Sequence, residues 1–346
     1  MSDYGYPNAR LRAMRSRLFD RRAYDEMLGL ARIDDVIAWL DQSTWNDDIE
    51  VALARFVGVR VVMEAARLNL ARTYGRIRSF LDGDAARLLG ILLGRWDLAN
   101  LKAILRGQRV GAPPDAILEA LTPAGALDEA ALRALARQPD PVSTADALRM
   151  WNVEYARAVS LAWQETAAGR DPSALDSALD RIFYKAFLAQ LEPGVENDAL
   201  VREALAREID AANIVAALRL RSTGVGVAEE RTGGTFLTGG RLGLPWLAAL
   251  TRVERDEEAL ARLRTIPPWE VLTHVQRLDV AAVQGALGRD VAAYQVGFFR
   301  RDPLSIAPVV GYIAAKGAEA ANVRLIAQAV TLGVPRSRVE EALILV

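Results

Sequence analysis

The sequence has no cysteine, one histidine (His274) and only three lysines, Lys102, Lys185 and Lys316, in 346 residues. Without cysteine there can be no disulfide, thiolate nucleophile, zinc–thiolate centre or iron–sulfur cluster. A single histidine leaves no second imidazole for a metal site or a proton relay, and WEVLTHVQRLD is an apolar helical context in which a packed or surface histidine is the ordinary outcome. No apolar run approaches the roughly 18–20 residues needed to span a bilayer; SIAPVVGYIAA is shorter and carries Pro308. The opening MSDYGYPNARLRAMRS lacks an apolar h-region, so no signal peptide is expected and the chain is expected to be soluble or peripheral on a membrane. GxSxG, GxxxxGK[ST] and a helix-opening GxGxxG are all absent, so neither a nucleophile elbow nor a phosphate loop is on offer. The net charge of −1 gives no whole-protein case for nucleic acid.

Hydrophobic residues make up 51% of the chain, ample for a buried core, and their spacing is helical nearly everywhere. Leu28, Leu30, Val36, Ile37 and Leu40 fit one helical stripe; Leu148, Trp151, Tyr155, Val159 and Trp163 fit another. Breakers separate the helices at Pro113-Pro114, 139–141, 169–172, Pro193-Gly194, Pro267-Pro268 and Asp302-Pro303. Only 221–245, RSTGVGVAEERTGGTFLTGGRLGLP, differs; it predicts a long loop holding a short hairpin, its glycines serving as turn residues. The expected fold class is all-α.

Repetition is the informative feature. RWDLANLKAILRG, REIDAANIVAALRLR and KGAEAANVRLIAQAV each place an acid three residues before an asparagine on an apolar helix: Asp97/Asn100, Asp210/Asn213 and Glu319/Asn322. The asparagines stand about 110 residues apart, and eleven residues beyond them lie Gly111, Gly224 and Gly333. GAPPDAILEAL (111–121) aligns without gaps on GVPRSRVEEAL (333–343), and DEAALRAL (128–135) echoes DEEALARL (256–263). Three tandem helical lobes follow, 1–127, 128–241 and 242–346, the second holding the Gly-rich loop. Units of this size can each hold a core, unlike solenoid repeats of about 20–50 residues. Placed equivalently, they make a pseudo-threefold body.

Two oxygen ligands on a helix, with no dense carboxylate cluster around them, fall short of a Ca²⁺ or Mg²⁺ site. No nucleophile or base accompanies them. The pairs are therefore expected to satisfy backbone or Arg groups of neighbouring helices and fix their register. The strongest local charge feature is NARLRAMRSRLFDRR, with Arg10, Arg12, Arg15, Arg17, Arg21 and Arg22 beside the apolar stripe Leu11, Met14 and Leu18. It suits contact with an acidic protein surface, lipid headgroups or, least well, nucleic acid; a solvated helix pairing with acids elsewhere fits equally.

Tyr6 with Asn8-Ala9-Arg10, WDLANLKAILRG, EIDAANIVAALRL, FLTGG at 236–240 and EAANVRLIAQAVTLGVPRSRVEEAL together resemble the C subunit of A/V-type ATPases and ATP synthases, whose eukaryotic relative is the V-type ATPase d subunit. This is not the membrane-spanning proteolipid. The resemblance covers essentially the whole chain. It implies a funnel of three similar lobes on the cytoplasmic face of the proteolipid c ring, peripheral to the membrane, receiving the D and F subunits of the central shaft. The rotor would link proton or sodium transport to ATP synthesis or hydrolysis. It also implies no catalytic, cofactor-binding or metal-binding residues, no cofactor, no nucleic acid and no small-molecule substrate. The acid–x–x–Asn positions carry over as Asp97, Asn100, Asp210, Asn213, Glu319 and Asn322, and Arg10, Arg12, Arg15 and Arg17 are candidate interface residues. The competing readings are a generic helical adaptor and an all-α enzyme using carboxylates scattered in sequence.

Overall fold

In a computed structural model, residues 4–166, 172–224, 232–266 and 269–345 are described. Among them there are eighteen α-helices and no strand. The first ten are α1 Gly5–Arg15, α2 Arg21–Leu28, α3 Ile33–Asp41, α4 Asn46–Leu53, α5 Val59–Arg78, α6 Gly83–Arg109, α7 Pro114–Glu119, α8 Glu129–Ala136, α9 Pro141–Arg149 and α10 Val153–Glu165. The others are α11 Pro172–Ala189, α12 Glu196–Ser222, α13 Thr232–Thr235, α14 Leu244–Thr251, α15 Asp256–Arg264, α16 Val280–Gly297, α17 Ala307–Leu332 and α18 Arg336–Ala342. The all-α class is as expected.

Two compact units divide the chain: 1–175 with 296–346, and 176–295. The lobe boundaries expected at 127/128 and 241/242 fall inside these units. The first unit is built on α17, whose Ala, Val and Ile residues bury it along most of its length. It packs against α1, α2, α3, α5, α18 and the short 3-10 turn Phe298–Arg300. Tyr74 of α5 donates to the Ile313 carbonyl at 3.0 Å. Asp48 of α4 accepts from Asn69 at 2.6 Å and pairs with Arg72 of α5. The second unit packs α14, α15 and the turn Glu270–His274 on α12, around Ile214, Leu218, Phe236, Leu250, Trp269 and Leu287.

The three glycines in register share one conformation. Gly111, Gly224 and Gly333 follow the long helices α6, α12 and α17 with φ of 65°, 71° and 66°. In the first and third, the next residue's N–H closes onto the carbonyl five back: Ala112 onto Gly107, Val334 onto Ala329, both at 2.9 Å. This left-handed cap costs glycine nothing and other residues something, which explains the spacing.

Four expectations are corrected. The stripe from Leu28 to Leu40 spans two helices: Gly29 caps α2, Leu30 lies in the connection, and Val36, Ile37 and Leu40 are buried on α3. The stripe from Leu148 to Trp163 also breaks, because the Asn152 side chain accepts from the Tyr155 N–H at 3.0 Å and starts α10; Trp151 is left exposed before it. Within 221–245 the described residues are the end of α12, the single turn α13, turns and bends, and the start of α14, with no strand among them, while 225–231 lie outside the described residues, as do Pro267 and Pro268. The expected membership of 128–135 and 256–263 in matching positions also shifts. α8 begins two residues after Leu127 and α14 two after Leu242, so α8 matches α14, and α9 matches α15.

Close packing sets one test. A Cβ on Gly311 of α17 would stand 2.7 Å from the Phe299 backbone nitrogen, whereas Gly90 of α6 is exposed with nothing within 4 Å. Gly311→Ala is expected to lower unfolding free energy by roughly 1–3 kcal/mol, and Gly90→Ala to raise it by about 0.5–1 kcal/mol. Urea midpoints of the two variants check both signs.

Candidate functional site

All six residues of the three polar pairs are buried, none more than 3% exposed. An asparagine amide presents one donor side and one acceptor side, so it can pair with a peptide as another peptide would. Each asparagine does this with one residue of the chain returning past its helix. Asn100 donates to the Thr122 carbonyl at 2.7 Å and accepts from the Thr122 N–H at 2.8 Å. Asn213 holds Leu237 at 2.9 and 2.8 Å, and Asn322 holds Ile344 at 2.9 and 2.8 Å. In every case both polar groups of a buried peptide are satisfied by one side chain.

The acids lie one turn earlier and take the next donors. Asp97 accepts from the Ala126 and Leu127 N–H groups at 2.7 and 3.0 Å and from the Tyr155 hydroxyl at 3.0 Å. Asp210 accepts from the Arg241 and Leu242 N–H groups at 3.1 and 3.0 Å. The loop must approach closely: a Cβ on Gly125 or Gly240 would lie 2.1 or 2.2 Å from the carboxylate oxygen. Glu319 uses other partners, the Phe19 N–H at 2.9 Å, the Trp45 indole N–H at 2.9 Å and the Lys316 ammonium.

A cation precedes the acid by three residues in two of the copies. Lys316 lies over the Trp45 ring at 5.1 Å, and Arg207 over the Trp269 ring at 4.3 Å while pairing with Asp290. In the first copy this position is Gly94. Burial pushes the Asp97 and Asp210 carboxyls above the usual carboxylate range, and their backbone hydrogen bonds only partly offset it. Burial likewise pushes the Tyr155 hydroxyl up, with the Asp97 charge adding to it.

The candidate interface arginines divide. Arg10 lies over the Phe80 ring at 4.5 Å and Arg15 over Phe299 at 4.3 Å. Arg12 and Arg17 are exposed, and their side chains form no ion pair among the described residues. Arg21 and Arg22 pair with Asp25 and Glu26 within α2, the solvated arrangement weighed for the whole run. His274 is exposed at the end of its turn. Among the described residues no group of three or more His, Asp and Glu could hold a metal ion, and no helix is long and apolar enough to cross a membrane.

A family model described as ATP synthase (C/AC39) subunit matches residues 7–342. The chain belongs to that family. Curated relatives match over almost their full lengths. The V-type ATP synthase C subunit of Thermus thermophilus is 29% identical, over 99% of this chain and 98% of its own. The A-type ATP synthase C subunit of Halobacterium salinarum is 28% identical over 99% and 98%. That of Methanosarcina mazei is 25% identical over 100% and 94%. The family named by the repeated motifs is thus the one the comparisons give.

Sequence reasoning singled out all six members of the pairs and expected backbone or Arg partners on neighbouring helices; the partners are backbone groups of the connecting chain, joined by Tyr155, Trp45 and Lys316, which it did not foresee. Phe19, Trp45 and Tyr155 lie far from the acids in sequence, and the backbone N–H donors have no residue signature. The cations at Arg207 and Lys316 were legible at fixed spacing, Lys316 being one of only three lysines.

Two outcomes follow from this geometry. Asn213→Leu strands both polar groups of Leu237 and is expected to cost roughly 1–3 kcal/mol, read from the denaturation midpoint; an unchanged midpoint contradicts it. Because the folded Asp97 carboxyl holds its proton to a higher pH than the unfolded one, its contribution is largest at low pH and is lost as pH rises through the folded pKa. The stability of the wild type relative to Asp97→Asn, which does not titrate, should therefore grow as pH falls from 7 toward about 4. Midpoints measured in parallel across that window check the sign.

Proposed function

We propose that this chain is a non-catalytic rotor component of an A/V-type ATPase or ATP synthase, peripheral on the cytoplasmic face. It joins the D and F subunits of the central shaft to the proteolipid c ring, so that proton or sodium transport is linked to ATP synthesis or hydrolysis. The observation that carries the reading is the two-way asparagine–peptide bond made three times, at Asn100, Asn213 and Asn322, in a chain of this family. A part that transmits torque must resist shear between its helices. Buried bidentate pins resist sliding as apolar packing alone does not, because a shifted register leaves buried polar groups unpaired.

Three lobes, cut in sequence at 1–127, 128–241 and 242–346, then stand around a pseudo-threefold axis as a funnel. The six pinned residues hold each lobe's register, and none does chemistry. Arg10, Arg12, Arg15 and Arg17 lie near an interface, Arg12 and Arg17 being the exposed cations that an acidic partner would meet.

The test is direct binding. The purified chain is mixed with the D–F pair from its own genome, and separately with the detergent-solubilised ring, then followed by size exclusion with mass detection. A one-to-one-to-one complex with D–F and co-elution with the ring are expected. Failure to bind either at micromolar concentration overturns the proposal.

A further inference from the structure

We infer that α1–α3, residues 5–41, form a strap that closes the third lobe on α17 and can release from it as a unit, with Glu319 as its clasp. The spacing of elements beyond each acid's backbone donor carries the first half of the argument. After Leu127, which donates to Asp97, helices begin at 129 and 141. After Leu242, which donates to Asp210, they begin at 244 and 256. After Phe19, which donates to Glu319, they begin at 21 and 33. The intervals are two and fourteen residues all three times.

An aromatic residue follows at a similar distance in each. Tyr155 lies 28 residues after Leu127, Trp269 lies 27 after Leu242 and Trp45 lies 26 after Phe19. Tyr155 and Trp45 donate to their acids, and Trp269 lies under the cation that precedes its acid. Hence α2 and α3 are to Glu319 what α8 and α9 are to Asp97. The third lobe takes its closing helices from 300 residues earlier in the chain.

That difference changes what holds the lobe shut. In the first two lobes about 30 residues of chain join acid and donor, so closure is local and its entropic cost small. In the third, the strap is held to α17 by side chains and packing. Asn8 donates to the Pro303 and Ser305 carbonyls at 2.7 and 2.9 Å, α2 and α3 lie against α17, and Leu18 packs on Ala314 and Ala315. Phe19 stacks on Trp45 at 6.0 Å beside the clasp. The strap continues through the connection at 42–45 into α4, which Asp48 ties to Asn69 and Arg72 of α5. Loss of the clasp therefore frees the strap without unthreading any other helix, which is how a sub-global opening unit behaves.

The inference does not depend on the proposed partners, and its test uses the full chain alone. Native-state hydrogen exchange is measured by mass spectrometry on the wild type and on Glu319→Gln. Exchange across residues 5–41 is expected to speed at least tenfold in the variant, while α8, α14 and the second half of α6 keep their wild-type rates. Trp45→Phe, which removes one donor to the clasp and keeps a ring, should give the same pattern more weakly and secures the test if Glu319→Gln does not fold. A rise of equal size across all helices in both variants, or no rise in 5–41, would overturn the strap.

Discussion

An asparagine amide can stand in for a peptide, and the fold depends on that substitution. Each long helix carries its asparagine facing inward, where a polar group left alone would cost about 1–3 kcal/mol. Pairing it with both polar groups of one returning residue removes the cost for the amide and for that peptide at once. The pairing also fixes position. Once Thr122 or Leu237 is held, the chain four or five residues on must bring two N–H groups to the acid one turn back along the helix, and Gly125 and Gly240 make room for the approach. The next helix then starts two residues later. Register, loop path and helix start are consequences of one bidentate contact.

The legible part of this was the part that repeats. Acid, asparagine and glycine recur at fixed spacing because a helix face, a peptide-like pin and a left-handed cap each demand a particular residue type. Their partners were not legible, since a backbone N–H can come from any residue, and Phe19 and Trp45 reach Glu319 from about 300 and 274 positions away. Periodicity also failed where it is blind. A three- or four-residue interruption that returns the chain in phase leaves the apolar spacing intact, so the stripes around Gly29 and Asn152 read as continuous. There the caps, rather than the core residues, held the information.

The third copy's glutamate is explained by what surrounds it. Glu319 carries one more C–C bond than aspartate, about 1.5 Å of reach, and with it spans both the Phe19 N–H and the Trp45 indole. Asp210 does not reach the corresponding indole. Trp269 Nε1 is buried without a hydrogen-bond partner among the described residues, its ring covered by Arg207. Of the two indoles, the longer acid engages one and the shorter leaves the other orphaned, while at Asp97 the tyrosine hydroxyl makes the reach instead.

Charge is handled differently at each site, and the differences follow the neighbours. A buried carboxylate needs either donors enough to replace water or a cation close by. Asp97 has Gly94 where a cation could stand and relies on two N–H groups and a tyrosine hydroxyl, so its proton is held more tightly than in water. Asp210 feels Arg207 and Arg241, but Arg207 is also engaged by Asp290, and its carboxyl remains raised. Glu319 is paired directly with Lys316, itself 5% exposed. A pair of opposite charges buried together has no cheap way to separate, since either alone would be stranded in an apolar interior. The site closed by chain 300 residues away in sequence is thus also the one that holds a buried ion pair, made by one of the chain's three lysines.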